Sequence, residues 1–208
     1  MTRFYVLLGD VVQSREIDDR AAFRQRLEDA CRDVTARYPD GLYTDVTVLK
    51  GVDEIGAVLT SIVDVYRIVT DLADAAMPDR IRFALAYDRV DVGLDEADVA
   101  SMDGPAFHRA DSLLERIERT ALLFDAVIDE PPLETAIADE INLLLFLRQD
   151  RTDRQREIIE RYETLGSQHA VAAELDISQQ AVSNALKRAH WSLVNAIEAR
   201  LQTTLEAV

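Results

Sequence analysis

Apolar residues in the first 130 positions recur at two alternating periods, and that alternation constrains the fold more than any other feature of the chain. FYVLLGDVV (4–12) is a short apolar run of strand length that ends at Gly9-Asp10, whereas IDDRAAFRQRLEDACRDVTARY (17–38) spaces its apolar residues for a helix, with Asp18 or Asp19 placed to cap it. TDVTVLK and IGAVLT flank the turn GVDE as the arms of a hairpin, and SIVDVYRIVTDLADAA returns to helical spacing until Pro78. DRIRFALAYDRVDV then supplies a strand and an acidic loop, and GPAFHRADSLLERIERTA a helix opened by Gly104-Pro105. The resulting order, β-α-β-β-α-β-α, predicts a sheet with helices on one face, and ALLFDAVID offers one more strand.

Pro131-Pro132 ends this pattern. Beyond it LETAIADEINLLLFLRQD forms an apolar helix, and from Thr152 onward the chain is helical in character, with turns at Gly166-Ser167 and at Asp176-Ile177-Ser178. The expected organisation is an α+β sheet domain over 1–130, a connector helix over 131–150 and an all-α domain over 151–208.

With 208 residues, 48% of them apolar, the chain is long enough to bury a sizeable core. It has no apolar stretch of the roughly 18 residues that a membrane span requires, and its start lacks the basic-then-apolar layout of a secretion signal, so a cytoplasmic location is expected. One cysteine, Cys31, on an apolar helix face, excludes an internal disulfide and a thiolate metal cluster. The formal net charge is −16, and lysine occurs only at Lys50 and Lys187, arginine supplying the other cations. Acid excess with few lysines points to a protein suited to a salty, halophilic cytoplasm, where self-repulsion is screened.

The charge is unevenly placed. Residues 1–150 carry 16 basic and 31 acidic side chains, residues 151–208 carry 7 and 8, and no Asp or Glu occurs between Asp176 and Glu198. A surface that avoids carboxylates over 21 residues in so acidic a chain suits a polyanionic partner.

That window coincides with a helix pair. In SQHAVAAELDISQQAVSNALKRAHW, the small Ala172 lies where two helices cross, and Leu175, Ile177, Val182 and Leu186 fill the wedge between them. Ser178, Gln179, Gln180, Ser183, Asn184, Lys187 and Arg188 then face outward from the second helix, residue types that contact phosphates and base edges of double-stranded DNA. A helical protein-docking module is the competing reading. Trp191, His169 and His190 are expected in structural roles. The stretch from Thr152 to Glu198 resembles the helix-turn-helix of sigma-factor region 4 and LuxR-type proteins, in RQREII, the LGS turn, VAAELDIS and AVSNALKRA.

In the first part, Asp10 ends a strand and Asp53 and Glu54 sit on the neighbouring hairpin. Carboxylates at adjacent strand ends can share a Mg²⁺ ion that takes its other ligands from water and a nucleotide phosphate; they can equally be solvated turn acids. Ser14 and Arg15 follow the strand end, where a hydroxyl, a guanidinium and turn amides can hold a phosphate, and Arg109 is a further candidate; surface ion pairs are the alternative for both arginines.

The motifs carry further resemblances. GVDEI (51–55) is similar to the GGDEF signature, and GPAFHRADSL (104–113) to the cyclase segment G-x-x-V-N-x-A-A-R-L, matching at Gly104, Phe107, Ala110 and Leu113. This likeness to the nucleotide cyclase and GGDEF palm implies a ferredoxin-like βαββαβ sheet. His108 and Ser112 stand where cyclases carry an Asn and an Arg that stabilise transition-state charge, so the resemblance implies a domain without cyclase turnover. GDVVQSR, the hairpin acids, DGPAFHRA and the terminal helix pair together resemble the SatD family across nearly the whole chain. The expectation is a homodimeric DNA-binding transcriptional regulator whose degenerate palm senses a nucleotide or metal, with a divergent Mg²⁺-dependent nucleotide cyclase or nucleotidyl transferase as the alternative.

Overall fold

A computed structural model of the chain describes residues 2–49, 51 and 54–208. The fold is mixed α+β. In chain order it runs β1 (Arg3–Val11), α1 (Arg20–Arg37), β2 (Thr47–Val48), β3 (Glu54–Leu59), α2 (Val65–Ala76), β4 (Ile81–Arg89), α3 (Pro105–Ile117) and β5 (Phe124–Val127). Five helices follow: α4 (Pro131–Gln149), α5 (Asp153–Leu165), α6 (Gln168–Glu174), α7 (Gln179–Arg188) and α8 (Trp191–Leu205). Among the described residues no helix is long and apolar enough to cross a membrane.

The sheet has the strand order β2-β3-β1-β4-β5. β1 lies at its centre, antiparallel to β3 on one side and to β4 on the other, and β5 joins β4 in parallel. Its central place follows from its sequence, because an apolar run without alternation suits a strand covered on both faces. Side chains at even positions of β1 point to α3: Phe4, Val6 and Leu8 pack with Val58, Ala84, Ala86 and the Ala106, Phe107, Ala110 and Leu113 stripe of α3.

The opposite face is dry over most of its length, with Leu7, Val11, Ala57, Leu59, Ile81, Phe83 and Leu85 all buried. None of them belongs to the cluster around α3, so they need a second cover. The apolar faces of α1 (Phe23, Leu27, Cys31, Val34) and α2 (Val65, Ile68, Val69, Leu72) supply it. The expected arrangement with helices on one face is thereby corrected: both faces of the sheet are covered. Gly9 marks the tightness of the second face, since a Cβ there would stand 3.2 Å from the side chains of Ile81 and Phe83.

Local signals set the helix ends. Asp19 caps α1 by accepting from the Ala22 N–H at 2.9 Å, and Thr152 with Gln155 forms a reciprocal capping box on α5. Gly104 opens α3 at φ 153°, where a Cβ would meet Arg89 O at 2.9 Å and the Asp91 N at 2.8 Å, so the helix start presses on the β4 exit as only glycine allows.

The chain divides into two compact units, Met1–Asn142 with Thr204–Val208, and Leu143–Thr203. The division falls inside α4, the helix read from sequence as a connector. Its first half is tied to β5: the Asn142 side chain accepts from the N–H groups of Leu123 and Phe124 and donates to Phe124 O, all within 3.0 Å. Glu134 accepts from the Ile128 N–H at 2.8 Å. Together they occupy backbone groups along the last strand, whose edge would otherwise be open to pairing.

The second unit packs α5, α6 and α7 around Ile158, Ile159, Val171, Ala172, Val182 and Leu186. Four residues, Leu175–Ser178, join α6 to α7. Asp176 takes the left-handed conformation at φ 51°, and the Ile177 N–H reaches back to Ala172 O at 3.0 Å, closing α6 with a Schellman turn. This unit holds eight basic and eight acidic side chains, so the whole net charge of −16 resides in the sheet unit.

Candidate functional site

Each unit has one surface that gathers some of the residues singled out from sequence. In the sheet unit, β1 runs one residue past the expected strand end, to Val11, so Asp10 is a paired strand residue between Glu54 of β3 and Arg82 of β4. The two carboxylates are therefore direct cross-strand neighbours. Arg82 donates to Asp10 Oδ2 at 3.3 Å and is itself largely buried, so one carboxylate already has a guanidinium partner. Asp53, the remaining expected metal ligand, lies outside the described residues.

Asp10 and Glu54 form one wall of a cleft of about 580 Å³ on the α3 side of the sheet. Leu8, Leu49, Val99, Met102, Phe107 and Leu114 give it an apolar lining, and Asp111 and Glu115 of α3 with Glu118 at its C-cap add three more carboxylates. Among the described residues lining it, none is basic. The α3 acids were legible as spacing, because positions i, i+4 and i+7 share a helix face, but which face meets the sheet was not. Such a cleft attracts cations and repels a bare phosphate. As a metal centre it is incomplete: among the described residues no three His, Cys, Asp or Glu side chains converge as ligands. Two adjacent carboxylates suit Mg²⁺ only where substrate oxygens and water supply the rest.

The expected phosphate-binding trio does not assemble. Ser14 is buried and Arg15 exposed on a 3-10 turn, Ser14–Glu16, just beyond the Asp10 end of β1. Arg109 belongs to the opposite end. It donates to Asp88 Oδ2 and Asp129 Oδ1, both at 3.1 Å, and to Tyr87 O at 3.3 Å. Asp88 is the register partner of Phe4, six residues from Asp10 along β1, or about 20 Å in an extended strand. α3 leaves β4 at that far end and runs back over the sheet, which places its first turns, Arg109 included, away from Ser14.

Arg3 also pairs with Asp129, and these two guanidinium donors hold the Asp129 carboxyl below its ordinary range, the Arg3 hydrogen bond being the larger cause. His108 Nε2 faces Asp103 Oδ1 at 3.4 Å, and Ser112 Oγ donates to His108 O within its own helix at 2.8 Å. Burial pushes the Cys31 thiol up to about 12, so it carries no thiolate at neutral pH.

In the helical unit the outward residues of α7 share one face. Ser178 caps the helix, its Oγ accepting from the Ala181 N–H at 3.1 Å. Gln179, Gln180, Asn184, Lys187 and Arg188 are exposed and Ser183 is half-buried, while Val182 and Leu186 face inward. The Gln180 side chain donates to Asn184 Oδ1 at 3.0 Å, a contact the sequence reading missed although its i, i+4 spacing was visible. Trp191 packs edge-on against Tyr162 at 4.9 Å and donates to Glu163 Oε1 at 3.1 Å, a structural role.

The family model of the SatD family matches residues 4–198. The chain belongs to the SatD family. No curated protein matches this SatD-family chain in sequence. Among solved structures it is weakly similar to a bacterial light-regulated adenylyl cyclase, with a TM-score of 0.43 and 14% identity over 60% of this chain and 43% of that one, so it spans less than half of that protein's length. A second structure of a bacterial light-regulated adenylyl cyclase gives a TM-score of 0.38 and 11% identity over 60% of this chain and 74% of that one. A regulator of polyketide synthase expression from Bifidobacterium adolescentis gives 0.28 and 18% over 100% of this chain and 85% of that one.

Proposed function

We propose that this SatD-family chain is a cytoplasmic, homodimeric transcriptional regulator. On this reading α6 and α7 act as a helix-turn-helix on double-stranded DNA, and the sheet unit is a ferredoxin-like, cyclase-type palm that binds a ligand without turning it over. One observation carries it: α7 exposes an unbroken polar face of amides, hydroxyls and two cations inside a stretch with no carboxylate from Asp176 to Glu198, on a unit of balanced charge in a chain of net charge −16. The polar groups of that face suit phosphates and base edges, and the missing acids are those a phosphate backbone would repel.

The test is retention of a labelled random duplex pool as salt is varied. Retention that weakens with salt supports the reading, with Lys187→Ala and Arg188→Ala each weakening binding at all sequences and lowering the salt slope by about 1. Absence of retention at every salt concentration would leave the protein-docking reading of the helix pair in its place.

The adjacency of Asp10 and Glu54 favours a second reading, a divergent Mg²⁺-dependent nucleotide cyclase or nucleotidyl transferase. Against it stand His108 and Ser112, whose side chains pair locally, and a cleft that adds three further acids where polyphosphate would lie. Incubation with labelled ATP and GTP plus Mg²⁺ or Mn²⁺ separates the two readings. A product that disappears in Asp10→Ala would establish the enzyme.

A further inference from the structure

On α7 the buried seam is formed by Val182, Leu186 and Ala189, with Ala185 partly covered. At 100° per residue, Gln180, Asn184 and Lys187 project within about 30° of the direction opposite that seam, so they form the crest of the exposed face. Gln180 lies in the first turn and Asn184 one turn on, joined by the 3.0 Å bond from Gln180 Nε2 to Asn184 Oδ1. Among the described residues neither amide makes another hydrogen bond.

The direction of that bond decides what each amide has left. A glutamine carries two N–H donors and one carbonyl acceptor. Gln180 spends one N–H on Asn184 and retains Oε1 with its second N–H, a complete donor–acceptor pair. In the major groove adenine presents N7 as acceptor and N6–H as donor, which such a pair meets bidentately. Guanine presents two acceptors and would set O6 against Gln180 Oε1. Cytosine offers a donor alone, and thymine an acceptor beside a methyl group. The Asn184 contact also removes rotational freedom from a long side chain before DNA arrives, which lowers the cost of ordering it on binding.

We propose that Gln180 is the specificity-determining residue of this SatD-family protein and selects an adenine through the major groove, with Asn184 as the residue that positions it. The inference rests on the DNA-binding reading and adds the base that is read and the side chain that reads it. A glutamine on an exposed helix can also bond to its i+4 neighbour with no role in recognition, and in that case base preference does not change when either is removed.

The full chain is tested by selection from a randomised duplex library, followed by titration of the selected duplex and of a copy carrying 7-deazaadenine at the adenine concerned, which lacks the N7 acceptor. The wild-type motif is expected to hold an adenine that Gln180→Ala converts to a position of no preference, with about a five- to 150-fold loss of discrimination there. The 7-deaza duplex should weaken wild-type binding yet cause no further loss in Gln180→Ala, because both changes remove the same contact. Asn184→Ala should erode preference at that one position and shrink the 7-deaza penalty, whereas Lys187→Ala weakens binding to all duplexes alike. A motif unchanged in Gln180→Ala, or a Gln180-dependent position that selects guanine, cytosine or thymine, overturns the inference and leaves DNA binding standing. Failure of the wild-type chain to retain any duplex at any salt overturns both.

Discussion

Asp129 shows how one side chain can hold distant segments of the sheet unit together. It adopts the left-handed conformation at φ 65° after β5 and accepts from Arg3 of β1 and Arg109 of α3. Its carboxyl is held below the ordinary value, so its charged form contributes stability at neutral pH that is lost as pH falls through the lowered folded value. Asparagine tolerates the same backbone conformation, so Asp129→Asn removes the charge with little added strain. Denaturant melts of the two proteins should differ at pH 7, with the wild type more stable, and converge in strong acid. The site is exposed and its ions are screened, so the gap should also narrow with added salt. A gap that is constant across pH would show that shape rather than charge matters at this position. Of the two sequence readings of Arg109, phosphate contact or surface ion pair, spacing could not choose the partners: the three acceptors of its guanidinium come from Tyr87, Asp88 and Asp129, none close to it in the chain.

At the scale of elements, the period of the apolar residues identified the strands and helices, and the caps at Asp19, Gly104-Pro105, Thr152 and Gly166 were visible as residue types in place. The closure of the β5 edge was not. Asn142 sits in an apolar helix and looks from sequence like a polar interruption, yet it satisfies two N–H groups and a carbonyl of the strand segment 123–124. Asn142→Ala leaves those groups without their side-chain partner, and a loss of about 2–4 kcal/mol is expected for the set. Chemical denaturation measures the loss, and faster amide exchange confined to Leu123 and Phe124 would locate it. Unchanged exchange at those two amides would mean that water replaces the asparagine at no cost. Edge strands are open to pairing with other chains, so the variant should also aggregate more readily.

For the whole molecule the governing fact is the segregation of charge, with a balanced helical unit and a sheet unit that carries all sixteen excess negative charges. Self-repulsion then burdens one unit only, and salt relieves it there. Raising potassium chloride from millimolar to molar should move the circular-dichroism melting transition upward. Trp191, the one tryptophan in the chain, lies in the helical unit, and its fluorescence transition should shift less. Two transitions moving in step would mean that the units unfold as one. Screening has the opposite effect on any contact with a polyanion, so the salt that stabilises the sheet unit weakens phosphate binding by the other.

The sequence by itself determined the kinds of elements, their order, the helix caps and the carboxylate-free face of α7, because period, cap chemistry and charge run are local properties of a chain. It also set Asp10 beside Glu54 of the hairpin, since β-α-β-β order makes those strands neighbours. The tertiary structure alone decided that both faces of the sheet are covered, that Arg82 reaches Asp10, that Asp111, Glu115 and Glu118 turn into the same cleft, and that Arg109 is held at the far end. Each of these depends on register and on the direction in which a helix returns across the sheet, quantities that residue spacing within one segment does not contain.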